Sequence, residues 1–193
     1  MTRRQPRIMP AMNRATARAV GQWTGAVAGA AVLMACAPTF DWRETRFDGA
    51  AAPLSAMFPC KPDRHARPIQ LGGQRTTMQM AVCATGGATF ALSAVAVADP
   101  SAAGAGLQQL RAAAVANVQG DTPVLAPWRV AGMTPNAESA RLSTRGRLPD
   151  GAPVIEHAAF FVQGLMLYQA SVIGAKPNPE AVETFFAGLK FVP

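Results

Sequence analysis

The stretch VIEHAAFFVQGLMLYQASVI, Val154–Ile173, decides the fold. It contains two apolar runs, residues 154–162 and 165–173, and each has the length and the β-branched and aromatic content of a strand. Gln163-Gly164 separates the runs, and a glycine supplies the positive φ angle that a tight hairpin turn needs. We therefore predict an antiparallel hairpin here, the strongest strand pattern in the chain.

Alternating or apolar runs elsewhere indicate further strands. In residues 76–84, Met78, Met80 and Val82 fall on one face, which is a period of two. Gly86-Gly87 follows this run as a turn. Outside the hairpin, the predicted strands are residues 76–84, 89–98, 124–130, 138–148 and 190–192.

Two segments have the apolar spacing of helices. Asp99 suits the N-terminal cap of the first, Pro100 its first turn and Gly120 its C-terminal stop. The apolar face of this helix comprises Leu107, Leu110, Ala114 and Val118. Asn178-Pro179 starts a second, shorter helix, and its apolar face comprises Val182, Phe185, Phe186 and Leu189.

The order of these elements indicates an α+β fold class. The strands are grouped, and helices do not follow every strand, which favours an antiparallel sheet over a parallel one. We expect residues 54–193 to form a single α+β domain in which two or more helices cover an antiparallel β-sheet.

The N-terminal residues have the layout of a secretory signal peptide. Five arginines and no carboxylate lie in residues 1–18, and residues 19–35 are uncharged and mostly small and apolar. The five arginines account for most of the net charge of +7, so the rest of the chain carries +2. Such a small charge gives no strong field to attract phosphate backbones. We predict a signal peptide at 1–35 and no nucleic-acid partner.

Leu33-Met34-Ala35-Cys36 resembles the lipobox of bacterial lipoproteins, although Met34 departs from the usual residue at its position. The resemblance implies lipidation of the Cys36 thiol with diacylglycerol, cleavage before Cys36, and acylation of the new amine with a chain such as palmitate. Ala37, rather than Asp, implies sorting to the outer membrane, with the protein facing the periplasm. Residues 36–53 would then be the lipid anchor and tether. An uncleaved signal anchor and a plain cleaved signal peptide are the alternatives.

The cysteine count favours one disulfide. Lipidation of Cys36 leaves Cys60 and Cys83 in an oxidising compartment. A hairpin turn at Gly72-Gly73 would bring the two close, with the register off by about two residues. Pro62 and Pro68 interrupt a regular ladder, so a bulge or loop is expected to absorb the difference.

Two motifs in the mature part, FPCKP at 58–62 and AVETFFAGLKF at 181–191, are similar to those of small exported domains of the PsbP-like type. The resemblance implies an α/β/α sandwich around an antiparallel sheet. It carries no catalytic residues, since that fold type mostly serves as an accessory or binding module.

The chain has no motif for a catalytic site, a metal site or a cofactor. Its two histidines, His65 and His157, are interpreted as solvated or core-edge residues, and Glu156 cannot readily share a site with His157 because adjacent strand residues face opposite ways. No zinc spacing, nucleophile elbow or phosphate-binding loop is present. Met78 and Met80 have the spacing of a core face, which we favour over a copper site. We expect no enzyme activity, no metal and no cofactor.

A local basic stretch surrounds the predicted Gly72-Gly73 hairpin. It could contact anionic lipid headgroups, lipopolysaccharide or an acidic partner, or it could be a solvated turn. Its members are Lys61, Arg64, His65, Arg67 and Arg75.

The combined prediction is a cell-envelope lipoprotein that acts as a non-catalytic binding or accessory module and is held to the membrane through Cys36. Its partner would be an envelope protein or an apolar ligand. An enzyme with an atypical site, or a structural or assembly partner of a membrane complex, are the alternatives. A large apolar groove would favour an apolar ligand, a flat apolar patch a protein partner, and a polar cleft with several carboxylates an enzyme.

Overall fold

The computed structural model describes residues 39–47 and 53–192, so the predicted signal peptide and the lipidation site at Cys36 lie outside the described residues. The described part contains ten strands and two helices. In chain order they are β1 (Arg43–Phe47), β2 (Leu54–Phe58), β3 (Asp63–Leu71), β4 (Gln74–Thr85), β5 (Ala88–Ala96), α1 (Ala102–Asn117), β6 (Val124–Pro127), β7 (Ala140–Arg147), β8 (Pro153–Gln163), β9 (Met166–Gly174), α2 (Pro179–Ala187) and β10 (Lys190–Phe191).

The predicted hairpin of Val154–Ile173 is present as β8 and β9, and Gly164 takes a φ of 58° in its turn. It lies inside a seven-stranded antiparallel sheet with the order β3-β4-β5-β9-β8-β7-β6. Because α1 carries the chain from β5 across to the far edge, β5 pairs with β9, a strand 70 residues further along by the register Ala96↔Met166. The large sheet therefore consists of two antiparallel meanders, β3-β4-β5 and β6-β7-β8-β9, which meet where β5 pairs with β9.

Side chains alternate between the two faces of the large sheet, and each face is buried differently. Helix α1 covers one face, where Leu107 packs with Phe160 and Leu167. Helix α2 and strand β2 cover the other, where Phe185 contacts both Phe58 and Phe90 at ring-centroid distances of 5.3 and 5.5 Å. Both faces are thus apolar, which fits the near-continuous apolar sequence of β8 and β9.

The predicted fold class, an α+β fold in which two or more helices cover an antiparallel sheet, is wrong, and so is the α/β/α sandwich implied by the PsbP-like resemblance. The fold is β-rich, with a second sheet of three strands in the order β1-β2-β10. The physical reason lies in α2, whose nine residues span only about 14 Å. A seven-stranded face is about 29 Å wide, so a helix of that length leaves apolar surface that the second sheet covers.

Two local features differ from the sequence predictions. Strand β6 ends at Pro127 and does not reach residue 130. Helix α1 is capped at Val118, and Gln119 rather than Gly120 takes the positive φ angle, at 46°. Gly120 N–H donates to the Val115 carbonyl at 2.8 Å, which completes the helix end. Neither helix of the described part is long and apolar enough to cross a bilayer.

The predicted disulfide is confirmed: Cys60 and Cys83 are bonded, with their Cα atoms 5.9 Å apart. The hairpin of β3 and β4 brings them together, and Gly72 and Gly73 take φ angles of 58° and 78° in its turn. The predicted interruption at Pro68 is absent, since β3 pairs regularly with β4 along its whole length. A proline is tolerated there because β3 is an edge strand.

Candidate functional site

A cavity of about 310 Å³ lies between α1 and the large sheet. Volumes of roughly 300–1,000 Å³ are typical of pockets that hold small ligands. Most of the surface that lines this cavity is apolar. The residues that line it are Arg67, Ile69, Gln70, Leu71, Met78, Met80, Val82, Thr89, Ala91, Ser93, Gln109, Leu110, Ala113, Ala114, Asn117, Glu156, Gln169, Ser171 and Ile173.

Strand register arranges the floor of the cavity in three cross-strand rows. One row is Met80, Ser93 and Gln169, and the next is Val82, Ala91 and Ser171. The last row is Thr89, Ile173 and Glu156. Because residues that lie opposite one another in a sheet point to the same face, all nine side chains face α1.

The roof of the cavity is the C-terminal half of α1. There the helix presents Ala113, Ala114 and Asn117, whose side chains are short. About two turns earlier Leu107 is fully buried against the sheet and fills the space. The cavity therefore exists because alanines replace leucine along the same helix.

Glu156 is the one carboxyl group of the cavity wall, and it is 1% exposed. Its Oε2 atom is buried and has no hydrogen-bond partner among the described residues. Burial raises the pKa of this carboxyl to about 7, since loss of water disfavours the charged form. A group in this state is an acceptor that a ligand could satisfy.

The neighbours of Glu156 do not supply that partner. Across the strands it faces Thr144 on β7 and Ile173 on β9. The Thr144 hydroxyl donates instead to the Asp121 carbonyl, at 2.8 Å. Ser171 is the diagonal neighbour on β9, at a Cβ separation of about 7 Å or less, which leaves room between them.

The end of the cavity next to β3 is closed by one side chain of α1. Gln109 Oε1 accepts from the Gly72 N–H at 2.8 Å, and its Nε2 donates to the Gln70 carbonyl at 3.1 Å. These bonds tie the helix to the turn between β3 and β4. The cavity shape at this end is therefore held by polar contacts as well as by packing.

A second hollow of about 650 Å³ adjoins the cavity at the opposite end of the sheet. The two share Thr89 and Ile173 in their walls. The second hollow is also mostly apolar, with Leu148 and Val154 among its lining residues. The second hollow therefore adjoins the row of the cavity floor that holds Glu156.

His157 lies on the other face of the sheet, in a cluster with Arg141 and Glu183. Arg141 donates two hydrogen bonds to Glu183, at 2.9 and 2.6 Å, and its guanidinium stacks 4.4 Å from the centre of the Phe186 ring. Burial, followed by the charge of Arg141, lowers the pKa of His157. The prediction that Glu156 and His157 do not share a site is confirmed, and the second histidine, His65, is exposed on β3.

The structure does not bring the predicted basic residues to one face. Register places Arg64 and Arg75 on the face of the small sheet, while Arg67 lies on the face of α1. Arg64 donates to the Arg46 carbonyl at 2.7 Å and lies 5.8 Å from the centre of the Phe47 ring. Lys61 precedes β3 and is exposed. Their role in contact with an anionic surface stays a prediction.

Within the described residues, no group of three or more histidine, cysteine, aspartate or glutamate side chains is placed to hold a metal ion. Met78, which is 4% exposed, and the partly buried Met80 both pack in the cluster beneath α1, and both line the cavity. The methionine pair therefore packs as a core face, as interpreted, and also contributes to the cavity wall.

Sequence reasoning missed Glu156 as a site residue. The available pattern was a single carboxylate between apolar neighbours in a strand expected to be buried, Val154-Ile155-Glu156. A charged residue rarely occupies a fully buried position without a partner. That pattern alone does not reveal the cavity, because the cavity depends on which turn of α1 lies above the strand.

Comparison of this chain with protein-family models, with curated proteins and with solved structures finds no match.

Proposed function

We propose that this protein is a lipid-anchored, non-catalytic binding protein of the bacterial cell envelope, and that its ligand is a small apolar molecule held beneath α1. The observation that carries the binding role is the cavity of about 310 Å³ with mostly apolar walls. Burial of apolar ligand surface there would supply the main driving force.

The location of the protein is proposed from the leader and the lipobox-like stretch that ends at Cys36. In this proposal cleavage removes residues 1–35, acyl chains are attached at Cys36, and the domain faces the periplasm from the outer membrane. The Cys60–Cys83 disulfide supports an oxidising compartment, because disulfides persist in the periplasm and are rare in the cytosol.

The make-up of the cavity wall supports binding rather than catalysis. The wall carries one carboxyl group, Glu156, and its other polar side chains are hydroxyls, amides and Arg67. Glycoside hydrolases, for example, use a pair of carboxylates, one as acid and one as base or nucleophile. A binding site needs only apolar volume and a few polar groups that fix orientation.

A fluorescent apolar probe tests the proposed function. N-phenylnaphthylamine, which brightens in apolar surroundings, is titrated into the full chain held in a non-ionic amphipathic polymer. The variant Ala91→Phe places a ring in the middle row of the cavity floor and is expected to weaken probe binding by about tenfold or more.

The matched control is Ala66→Phe, which adds the same ring to an exposed strand position on the opposite face. It is expected to bind the probe as the natural chain does. Equal probe binding by the natural chain and both variants would show that the cavity is not the binding site and would overturn the proposal.

A further inference from the structure

We propose that the ligand of the cavity is an amphiphile with one protonated amine on an apolar body, and that the Glu156 carboxylate binds the ammonium group. This inference rests on the proposed function, since it names the chemistry of the ligand for the same cavity. It starts from a buried acceptor, Glu156 Oε2, that has no partner among the described residues.

Among the residues that the structure describes, Glu156 has no counterion. The elements around it present uncharged side chains: Thr144 from β7, Ile173 from β9, and Ala114 and Asn117 from α1. In the described cavity wall the other ionisable side chain is Arg67, on β3. Four strand spacings separate β3 from β8, about 19 Å, so Arg67 does not neutralise the carboxylate.

A cationic ligand would supply this missing counterion. Burial disfavours the ionised form of Glu156, and an ammonium ion beside it would reverse that preference. A ligand carboxylate would meet a like charge, and an alcohol would leave the ionised carboxylate without compensation. The acidic floor thus discriminates among amphiphiles by the charge of the head group.

An ammonium head also matches the acceptors around Glu156. An alkylammonium ion has three N–H donors and no acceptor. The neighbouring floor position on β9 carries Ser171, whose hydroxyl oxygen is an acceptor. One carboxylate and one neutral hydroxyl oxygen therefore lie in the part of the cavity that an ammonium group would enter.

The apolar body of the ligand would extend from Glu156 across the sheet towards β4. In that direction the walls are Val82 and Met80 from the sheet and Leu110 from α1. Methionine side chains adapt to ligands of different shape because they are unbranched and flexible. The cavity therefore fits an alkyl or otherwise apolar tail attached to a single polar head.

Three chain-matched probes test this inference: decylammonium, decanol and decanoate. Each is titrated by calorimetry, below its solubility limit or micelle-forming concentration, into the full chain in a non-ionic amphipathic polymer. At about pH 8 decylammonium is expected to bind at least about tenfold more tightly than decanol. The reason is that its ammonium ion pairs with the buried Glu156 carboxylate, whereas decanol leaves that carboxylate without a counterion. Decanoate is expected to bind most weakly.

The variant Glu156→Gln keeps the shape of the side chain and removes its charge. It is expected to bind decylammonium and decanol with affinities within about threefold of each other. The control Glu180→Gln changes an exposed carboxylate at the start of α2 and should leave the tenfold preference intact. Background partition into the polymer is the same for all three proteins.

A measurement on the natural chain alone gives the second arm. Binding of decylammonium at about pH 6 should release a proton from Glu156, seen as a dependence of the binding heat on the ionisation heat of the buffer. Equal affinity for decylammonium and decanol, or an unchanged preference in Glu156→Gln, would overturn the head-group assignment while leaving apolar binding in place. If none of the probes, the fluorescent one included, binds the natural chain, the proposed function itself fails.

Discussion

Glu156 and His157 are consecutive residues of β8, yet their side chains lie on opposite faces of the large sheet. Glu156 lines the cavity beneath α1, and His157 interacts electrostatically with Arg141 and Glu183 on the face that α2 covers. One strand thus separates a carboxyl group without a counterion from a cluster in which charges are paired. Burial raises the pKa of Glu156 and lowers that of His157. As the pH rises, the two residues should therefore change the free energy of unfolding in opposite directions.

We predict that Glu156 makes the protein less stable as the pH rises. The native pKa of about 7 lies above the ordinary glutamate pKa of 4.5, so between these pH values the native state holds a proton that the unfolded chain has released. The contribution is fully present below about pH 4.5 and is lost as the pH rises through about 7. Its size is on the order of 3 kcal/mol.

The measurement is urea unfolding of the natural chain and of Glu156→Gln between about pH 4 and about pH 8. Because the other titrating groups are common to both proteins, the difference between their free energies of unfolding isolates Glu156. That difference should shift in favour of the variant as the pH rises. A difference that does not change with pH would contradict the assigned ionisation.

The Cys60–Cys83 disulfide is predicted to stabilise the domain by about 3 kcal/mol, because it closes a loop of about two dozen residues in the unfolded chain. The double variant Cys60→Ser/Cys83→Ser should therefore unfold at a lower urea concentration. Mass spectrometry of non-reduced natural protein, with thiol labelling, checks that both sulfurs are oxidised. Reaction of Cys60 and Cys83 with the thiol label would contradict the prediction. The control variant Cys36→Ser is expected to leave the Cys60–Cys83 bond intact.

Local parts of the fold could be predicted from the sequence because neighbouring residues determine them. The turns at Gly72-Gly73 and Gly164 fix the hairpins of β3/β4 and β8/β9, since each glycine supplies a positive φ angle between two strand-like runs. The cysteine pair followed from the first of these hairpins. The start of α2 at Pro179 could also be predicted, since Asn178 is a typical N-cap residue. In the structure the Asn178 side chain accepts a hydrogen bond from the Ala181 N–H at 2.9 Å.

The rest depends on contacts between distant residues, which periodicity does not encode. Pairing of β5 with β9 places Ser93 opposite Gln169, and nothing local to either strand specifies that neighbour. The second sheet forms because α2 is too short to cover its face of the large sheet. The candidate site combines both effects, since Glu156 becomes a cavity residue only after α1 crosses the sheet with alanines above it.

We predict that Gln119→Gly stabilises the protein by about 0.5–1 kcal/mol. Gln119 follows the cap of α1 with a φ of 46°, a conformation that costs a residue with a Cβ atom and costs glycine little. Thermal and urea unfolding measure the gain, and Gln119→Ala serves as the control because it keeps the Cβ atom. An equal gain in both variants would show that the backbone angle is not the cause.

Arg141 is predicted to stabilise the α2 face mainly by stacking rather than by its ion pair. Its guanidinium lies 4.4 Å from the centre of the Phe186 ring and 5.4 Å from that of Trp128, while its partner Glu183 is 66% exposed. Arg141→Lys, which keeps the charge but loses the planar group, should cost about 1 kcal/mol. Glu183→Gln should cost under about 0.5 kcal/mol, since exposed ion pairs contribute little.

The midpoint of urea unfolding, compared at constant slope, measures the loss of stability in Arg141→Lys and in Glu183→Gln. A larger loss for Glu183→Gln than for Arg141→Lys would show that the ion pair dominates. The pH dependence gives a further check: hydrogen bonding to Arg141 lowers the pKa of Glu183, so this carboxylate stabilises the fold above its unfolded pKa and loses that effect as the pH falls.

The proposed anchor predicts that Cys36→Ser abolishes acylation and releases the protein from membranes. The reason is that each buried methylene of an acyl chain contributes about 0.8 kcal/mol to membrane binding, and durable attachment takes at least two chains. Metabolic labelling with palmitate, followed by membrane fractionation, measures both effects. The double variant Cys60→Ser/Cys83→Ser is the control, and it should keep the label. Natural protein isolated from the membrane that still carries Met1 would contradict lipidation at Cys36 and the proposed location. A Cys36→Ser protein that keeps the label would contradict them as well.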